Sequence, residues 1–286
     1  MTCAVGNTGI EDVAQAARAA PDRVAQSTWV DRLARVGLVA KGVSYGLVGV
    51  LAAALASGGG GKATSREGAL ATLADESYGK VLLVALALGF AAYGLWRLVQ
   101  AIFDRDDEGS SAKALAKRAG YLGRAVLYGA LTYTTMRLLA SSGGGDSQTG
   151  EARKATAQVL DWPAGRWLVG LAALILIGVG VFNAYRAFTQ KFEEKWKTGE
   201  MSGFEREWGP RISSLGLLAR FVVFSLIGVF FVKAAYQYDP KEAIGLDGAL
   251  RTIIQASYGQ VLLGTVAAGL LCYALFCFFE ARYRRV

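Results

Sequence analysis

Six apolar runs free of charged residues recur along the chain, at 42–61, 81–96, 125–136, 167–185, 221–232 and 261–279. As helices in a bilayer they predict spans over about 36–56, 79–103, 119–140, 165–188, 213–235 and 259–283. The third and fifth runs fall short of the roughly 20 residues that a crossing needs. Those two helices must therefore extend past a flanking Arg or Lys whose head reaches back to the interface. The pattern defines an all-α polytopic membrane protein with six transmembrane helices.

The runs come in pairs that echo one another. The stretch 248–263, GALRTIIQASYGQVLL, matches 68–83, GALATLADESYGKVLL, at ten of sixteen positions, and a more diverged copy lies between them. In the second helix of each pair Gly79, Gly165 and Gly259 correspond, which aligns Gly94, Gly180 and Ala274, then Trp96, Phe182 and Phe276, without gaps. In the first helix Gly37, Gly120 and Gly216 correspond, which aligns Lys41, Arg124 and Arg220, then Tyr45, Tyr128 and Phe224. One supersecondary unit written three times, with slack taken up in loops, gives this register. The expected organisation is an N-terminal segment 1–28, hairpins 29–108 and 109–188, a loop 189–211 and a hairpin 212–286, with pseudo-threefold symmetry.

Composition agrees with a bilayer: 53% of the 286 residues are hydrophobic, with 36 glycines and 4 prolines. The net charge of +8 is explained by topology, because the cations sit at helix ends and form no basic tract, so no nucleic-acid partner is expected. With both termini on one face, about two-thirds of the 31 Lys and Arg lie on that face, which points to cytoplasmic termini and cytoplasmic inter-hairpin loops. Histidine is absent and Cys3, Cys272 and Cys277 show no paired spacing. That removes His-ligated haem, most zinc and copper sites and His bases, so no metal and no cofactor is expected.

Residues 1–28 mix charges with small residues and do not form a secretory signal peptide; 10–20 suits a short helix on the membrane surface. Short amphipathic helices are expected before each second helix, at 66–76, 155–160 and 245–255, as a lid or floating in the headgroups. The loop 189–211, with Trp196 and Trp208, is expected to fold partly on the membrane surface. Glycines such as Gly42 and Gly46 are read as packing positions. The run 58–61 is not a phosphate loop, since no G-K-[ST] ending follows it.

The cationic first helix (Gly37, Lys41, Tyr45), the S-Y-G entry to the second helix at 77–79 and 257–259, and the Y-G-L-W-R exit at 93–97 together resemble the bacterial membrane family known as domain of unknown function 1206. The resemblance spans roughly residues 30 to 285, and repeat two departs from it with W-P-A-G at 162–165. It implies six helices in a bacterial cytoplasmic membrane. It implies no reaction, ligand or site residue.

Two constellations carry candidate chemistry. Lys41, Arg124 and Arg220 are each followed four residues on by a ring, Tyr45, Tyr128 and Phe224, and i,i+4 neighbours share a helix face. Three cations at one depth would form a site for a small anion or a lipid headgroup; as interfacial anchors they would simply obey the positive-inside rule. The second set is Gln100, Arg186 and Glu280, where Arg186 and Glu280 would pair to close the bundle or face solvent at a helix end. Arg97, aligned with Asn183 and Cys277, lies one turn deeper and suits an intramembrane polar contact.

No Ser/His/Asp set is possible and the loop carboxylates show no recognisable pairing, so no enzyme activity is expected. The favoured reading is binding or passage of a small anionic solute or lipid headgroup at Lys41, Arg124 and Arg220. The alternative is a non-catalytic membrane scaffold or accessory subunit with a membrane-protein partner engaged through 189–211.

Overall fold

Long apolar stretches rich in glycine and alanine leave the backbone no partner but itself, and every regular element among the described residues is accordingly a helix. The computed structural model describes residues 28–58, 69–70, 79–103, 111–140 and 148–284. Over these the chain forms α1 (Thr28–Ala56), α2 (Gly79–Phe103), α3 (Ala112–Ala140), α4 (Gln148–Leu160), α5 (Gly165–Thr189), α6 (Gly203–Gln237), α7 (Leu246–Gln255) and α8 (Gly259–Tyr283). Short 3-10 turns at Glu193–Lys195, Thr198–Glu200 and Pro240–Glu242 link the later helices. The segment 1–27, most of 66–76 and the run 59–61 lie outside the described residues.

Five helices, α1, α2, α5, α6 and α8, are long and apolar enough to cross a membrane. The sixth expected span, α3, is as long as α1 at 29 residues. Arg118, Arg124 and Arg137, with its Gly, Thr and Tyr content, keep α3 from ranking with those five. Two other helices run beyond their expected limits. The first begins at Thr28. The fifth begins at Gly203, ten residues earlier than its apolar run suggests, because Ser202 and Glu205 form a capping box. There the Glu205 N–H donates to Ser202 Oγ at 3.3 Å and the Ser202 N–H donates to the Glu205 carboxylate at 2.9 Å. Pro210 sits inside the helix that this cap starts.

The helices pack in the spatial order α3, α2, α1, α8, α6, α5. Each first helix of a repeat lies chiefly against the second helix of another: α3 on α2, α6 on α5 and α1 on α8. Within the first and third hairpins the two helices also cross, α1 on α2 and α6 on α8. Both crossings are glycine contacts. A Cβ at Gly37 would stand 2.5 Å from Tyr93 Cβ, and one at Gly216 the same distance from Tyr273 Cα. Gly89 similarly lies against Ala40 and Gly269 against Ala219. Without side chains in the way, backbones approach closely enough for dispersion to hold the helices where lipid gives no hydrophobic drive. The aligned Gly165 and Gly259 have a different cause: a Cβ there would overlap the carbonyl oxygens of Val159 and Ile254 in the tight turns that open α5 and α8.

The core gathers around large aromatics, with Trp96, Tyr93, Tyr273, Phe90 and Phe276 all sequestered. Trp167 and Phe188, each 78% exposed, mark an outward apolar surface on α5, as a helix facing acyl chains presents.

At one end α4 and α7 lock together. The Thr149 N–H and hydroxyl donate to Asp247 Oδ1 at 3.0 and 2.8 Å, while the Gly245 and Gly248 N–H groups donate to Thr149 Oγ1. At the other end residues 190–202 fold onto the end of α8. The Lys197 N–H donates to the Tyr283 carbonyl at 2.8 Å, and Trp196, 1% exposed, lies against Phe192, Phe276 and Phe279. Trp196 was expected at a membrane surface, and burial against three rings keeps it inside.

Candidate functional site

The close glycine crossings set the site. By bringing α2 onto α1 and α8 onto α6, they place the rings of Tyr93 and Tyr273 on either side of α1. Lys41 projects between them, its ammonium 5.4 Å from the Tyr93 centroid and 5.1 Å from that of Tyr273. No hydrogen bond or ion pair to the Lys41 ammonium occurs among the described residues. Lys41 was expected against Tyr45 on its own helix. Instead Tyr45 turns edge-on to Tyr273 at 4.7 Å and flanks Arg220 at 5.6 Å. The rings presented across the crossing lie nearer the ammonium than the one along the helix.

Arg220 rests on Phe224 at 4.8 Å and on Tyr273 at 4.5 Å, and its guanidinium donates to the Tyr273 hydroxyl at 2.5 Å. Arg124 lies over Tyr121, three positions earlier, at 5.8 Å. Tyr128 packs against Tyr93 at 4.3 Å and Phe90 at 5.9 Å. Arg124 is within electrostatic reach of Arg97, Arg220 and the two tyrosines. Lys41 and Arg220 therefore share the Tyr273 ring, while Arg124 lies farther out over Tyr121.

A second layer adjoins this cluster toward the C-terminal end. Arg97, 5% exposed, donates through Nε and Nη2 to the Tyr93 hydroxyl at 3.1 and 2.9 Å and through Nη1 to Gln100 Oε1 at 2.7 Å, with its guanidinium 4.0 Å from the Trp96 centroid. Glu280 takes its ion pair from Arg284, one turn along the same chain, at 2.9 Å. Arg186, expected as its partner, lies over the Phe276 ring at 5.6 Å. Gln100 and Glu280 are both buried, so neither stands at a solvated helix end. Asn183 is buried too, and its amide donates to the Val179 carbonyl within α5 at 2.8 Å, away from Arg97.

Sequence reasoning missed Tyr93, Tyr273 and Arg284. The tyrosines were detectable, since the register that aligns Gly79 with Gly259 also aligns them, with Val179 at that position in the second repeat. The resulting array has Lys41, Arg97, Arg124, Arg186, Arg220 and Arg284 around two tyrosine hydroxyls and Glu280, the one buried carboxylate at this end among the described residues. Such a surplus of positive charge favours an anion, with tyrosine rings offsetting part of the charge through their negative faces.

A cavity of about 380 Å³ lies elsewhere, between α4, α7 and the turn before α7, lined by Thr149, Arg153, Lys241, Glu242, Asp247 and Arg251. Its charges are mixed and Asp247 is already engaged by Thr149. Among the described residues no three Cys, Asp or Glu side chains are placed to hold a metal ion.

Fold and site together define a membrane-like helical protein made of three repeated helix pairs with a cation-rich aromatic interior. The chain belongs to the family described as Domain of Unknown Function (DUF1206), whose model matches residues 36–104, 119–190 and 215–284. It is 31% identical over 258 residues, 90% of this chain and 92% of the relative, to the uncharacterized protein YxxB of Bacillus subtilis (strain 168). No solved structure matches it.

Proposed function

We propose that the protein crosses a bacterial cytoplasmic membrane six times, α3 included, with both termini in the cytoplasm, and that it binds or passes a small anionic solute or lipid headgroup at Lys41, Arg124 and Arg220. The recurrent glycine crossings and the packing of each first helix on another repeat's second helix support a pseudo-threefold arrangement. Lys and Arg asymmetry supports the orientation. The observation that carries the binding reading is Lys41: an ammonium held between two tyrosine rings, beside Arg220, with no acidic partner among the described residues. The one carboxylate in its electrostatic reach among the described residues, Glu280, is already paired with Arg284, so this half-buried ammonium has charge to spare that a bound carboxylate or phosphate would take up. Replacing Lys41, Arg124 and Arg220 together by Gln should abolish anion flux in proteoliposomes and retention of anionic lipid on purification. Unchanged flux and unchanged retention would refute the reading.

A scaffold or accessory role is the second reading, favoured by Phe204 and Trp208, stacked at 6.2 Å and 69% and 43% exposed on the first turns of α6. It requires a membrane partner that co-purifies with the wild type and is lost with Phe204→Ala/Trp208→Ala.

A further inference from the structure

The second hairpin is built differently from the other two. Where hairpins one and three place Gly89 on Ala40 and Gly269 on Ala219, the aligned pair in hairpin two is Ile175 and Gly123. Where Tyr93 and Tyr273 lie on Gly37 and Gly216, hairpin two offers Val179 and Gly120. The Ile175 side chain fills the space that the close crossing requires to be empty, and α3 and α5 do not pack together as the other hairpin helices do. Gly120, Gly123 and Gly129 on α3 and Gly170 and Gly178 on α5 have nothing within 4 Å of where a Cβ would stand. The ring of helices is therefore open along one side.

That opening has a polar feature. Gly120, Gly123, Arg124 and Leu127 share one face of α3 by i,i+3 and i,i+4 spacing, and Arg124 and Leu127 are exposed on it. Ile175, Val179 and Phe182 form an exposed apolar face on α5. Arg124 has no hydrogen bond or ion pair among the described residues, yet it is in electrostatic reach of Arg97 and Arg220. Elsewhere 190–202 docks on the end of α8, and α4 and α7 lock together at the opposite end. The exposed Arg124 can be reached from the flank of α3, and within a membrane a guanidinium there without a counter-anion is expensive.

Resting on the anion-binding reading above, we propose that the seam between α3 and α5 admits an anionic phospholipid from the bilayer. Its phosphate meets Arg124, with Arg220 in electrostatic reach, and an acyl chain lies against the glycines of α3 and the Ile175, Val179 and Phe182 face. The side that lacks a tyrosine is the side that takes the chain.

The test uses the full-length protein in nanodiscs of equal phosphatidylcholine and phosphatidylglycerol, with lipid retained after detergent extraction counted by native mass spectrometry and glycerol 3-phosphate binding measured separately. Wild type should retain phosphatidylglycerol over phosphatidylcholine. Gly120→Leu/Gly123→Leu, which fills open space, should cut that retention by about tenfold, the equivalent of about 1.4 kcal/mol, and leave glycerol 3-phosphate binding intact. Lys41→Gln/Arg124→Gln/Arg220→Gln should lose both. Equal retention of the two lipids by wild type means annular lipid only and overturns the proposal, as does full retention by the glycine variant. Loss of neither ligand in the cation variant sinks the anion-binding reading itself. Independently of any variant, phosphatidylglycerol with a diazirine in its acyl chain should label 120–127 and 175–182; labelling spread evenly over the exposed faces of all helices overturns the seam.

Discussion

The repeated glycine offers a test with its own internal control, because Gly37, Gly120 and Gly216 occupy one aligned position in three surroundings. In Gly216→Ala the new Cβ would stand 2.5 Å from Tyr273 Cα, whereas carbon atoms rest at about 3.5–4.0 Å. The α6 and α8 backbones must then part by about 1 Å, and overpacking of this order costs about 1–3 kcal/mol. Replacing glycine by alanine in a helix returns about 1 kcal/mol, so Gly216→Ala should destabilise the fold by up to about 2 kcal/mol. Gly37→Ala, with Tyr93 Cβ at the same 2.5 Å, should behave alike. Gly120→Ala meets nothing and should keep the helix-propensity gain, raising stability by up to about 1 kcal/mol. Chemical unfolding in mild detergent, followed by far-UV circular dichroism, reads the difference. If Gly120→Ala destabilises as much as Gly216→Ala, α3 and α5 are packed and the open second hairpin is wrong.

Asp247→Ala removes the acceptor of both Thr149 donors, which should cost about 2–3 kcal/mol and raise hydrogen exchange at the start of α4. Trp196→Ala empties a site between Phe192, Phe276 and Phe279 at a cost of about 3–5 kcal/mol; trypsin should then cut at Lys195 and Lys197 faster than in the wild type. Burial pushes the Glu193 carboxyl up from its ordinary range, so the folded state holds that proton more tightly than the unfolded chain and stability declines as pH rises through the carboxylate range. Glu193→Gln should flatten that decline in thermal unfolding run from acid to neutral pH, and an unchanged slope would exclude Glu193 as its source.

The helical content and the repeat were legible because each depends on local facts: uncharged runs, and residues recurring in a fixed register. The start of α6 was also encoded, since Ser202 and Glu205 spell a capping box, but it lies in a charged stretch ahead of the apolar run. What could not be read was which helix meets which. The i,i+4 pairing of Lys41 with Tyr45 is a single-helix argument, and it failed because Tyr93 and Tyr273 arrive from two other helices. The pairing of Arg186 with Glu280 failed for a similar reason: Arg284, beyond the last apolar run, folds back within reach of the carboxylate. The open second hairpin was half-visible, because Ile175 stands where Gly89 and Gly269 align. Its consequence required knowing that those glycines are crossing points.

The three repeats have diverged in a patterned way that bears on how many ligands a site could hold. The first helices keep a cation at each aligned position, Lys41, Arg124 and Arg220, whereas the second helices differ at every polar position: Tyr93, Val179 and Tyr273; Arg97, Asn183 and Cys277; Gln100, Arg186 and Glu280. Three equal sites would need equal surroundings for each cation, and the surroundings here are unequal. Lys41 has two tyrosine faces, Arg220 has Tyr273 with Phe224, and Arg124 has Tyr121 and the open seam. Mutual repulsion among these cations also weakens any arrangement that leaves two of them without a shared counter-charge. On the anion-binding reading a single anion shared by the three satisfies these constraints together, so the expected stoichiometry is one per chain, bound toward the side where Val179 replaces a tyrosine. Native mass spectra with two or three specifically bound anionic lipids per chain, all lost together in the triple Gln variant, would show that the repeats act separately and that their divergence has another cause.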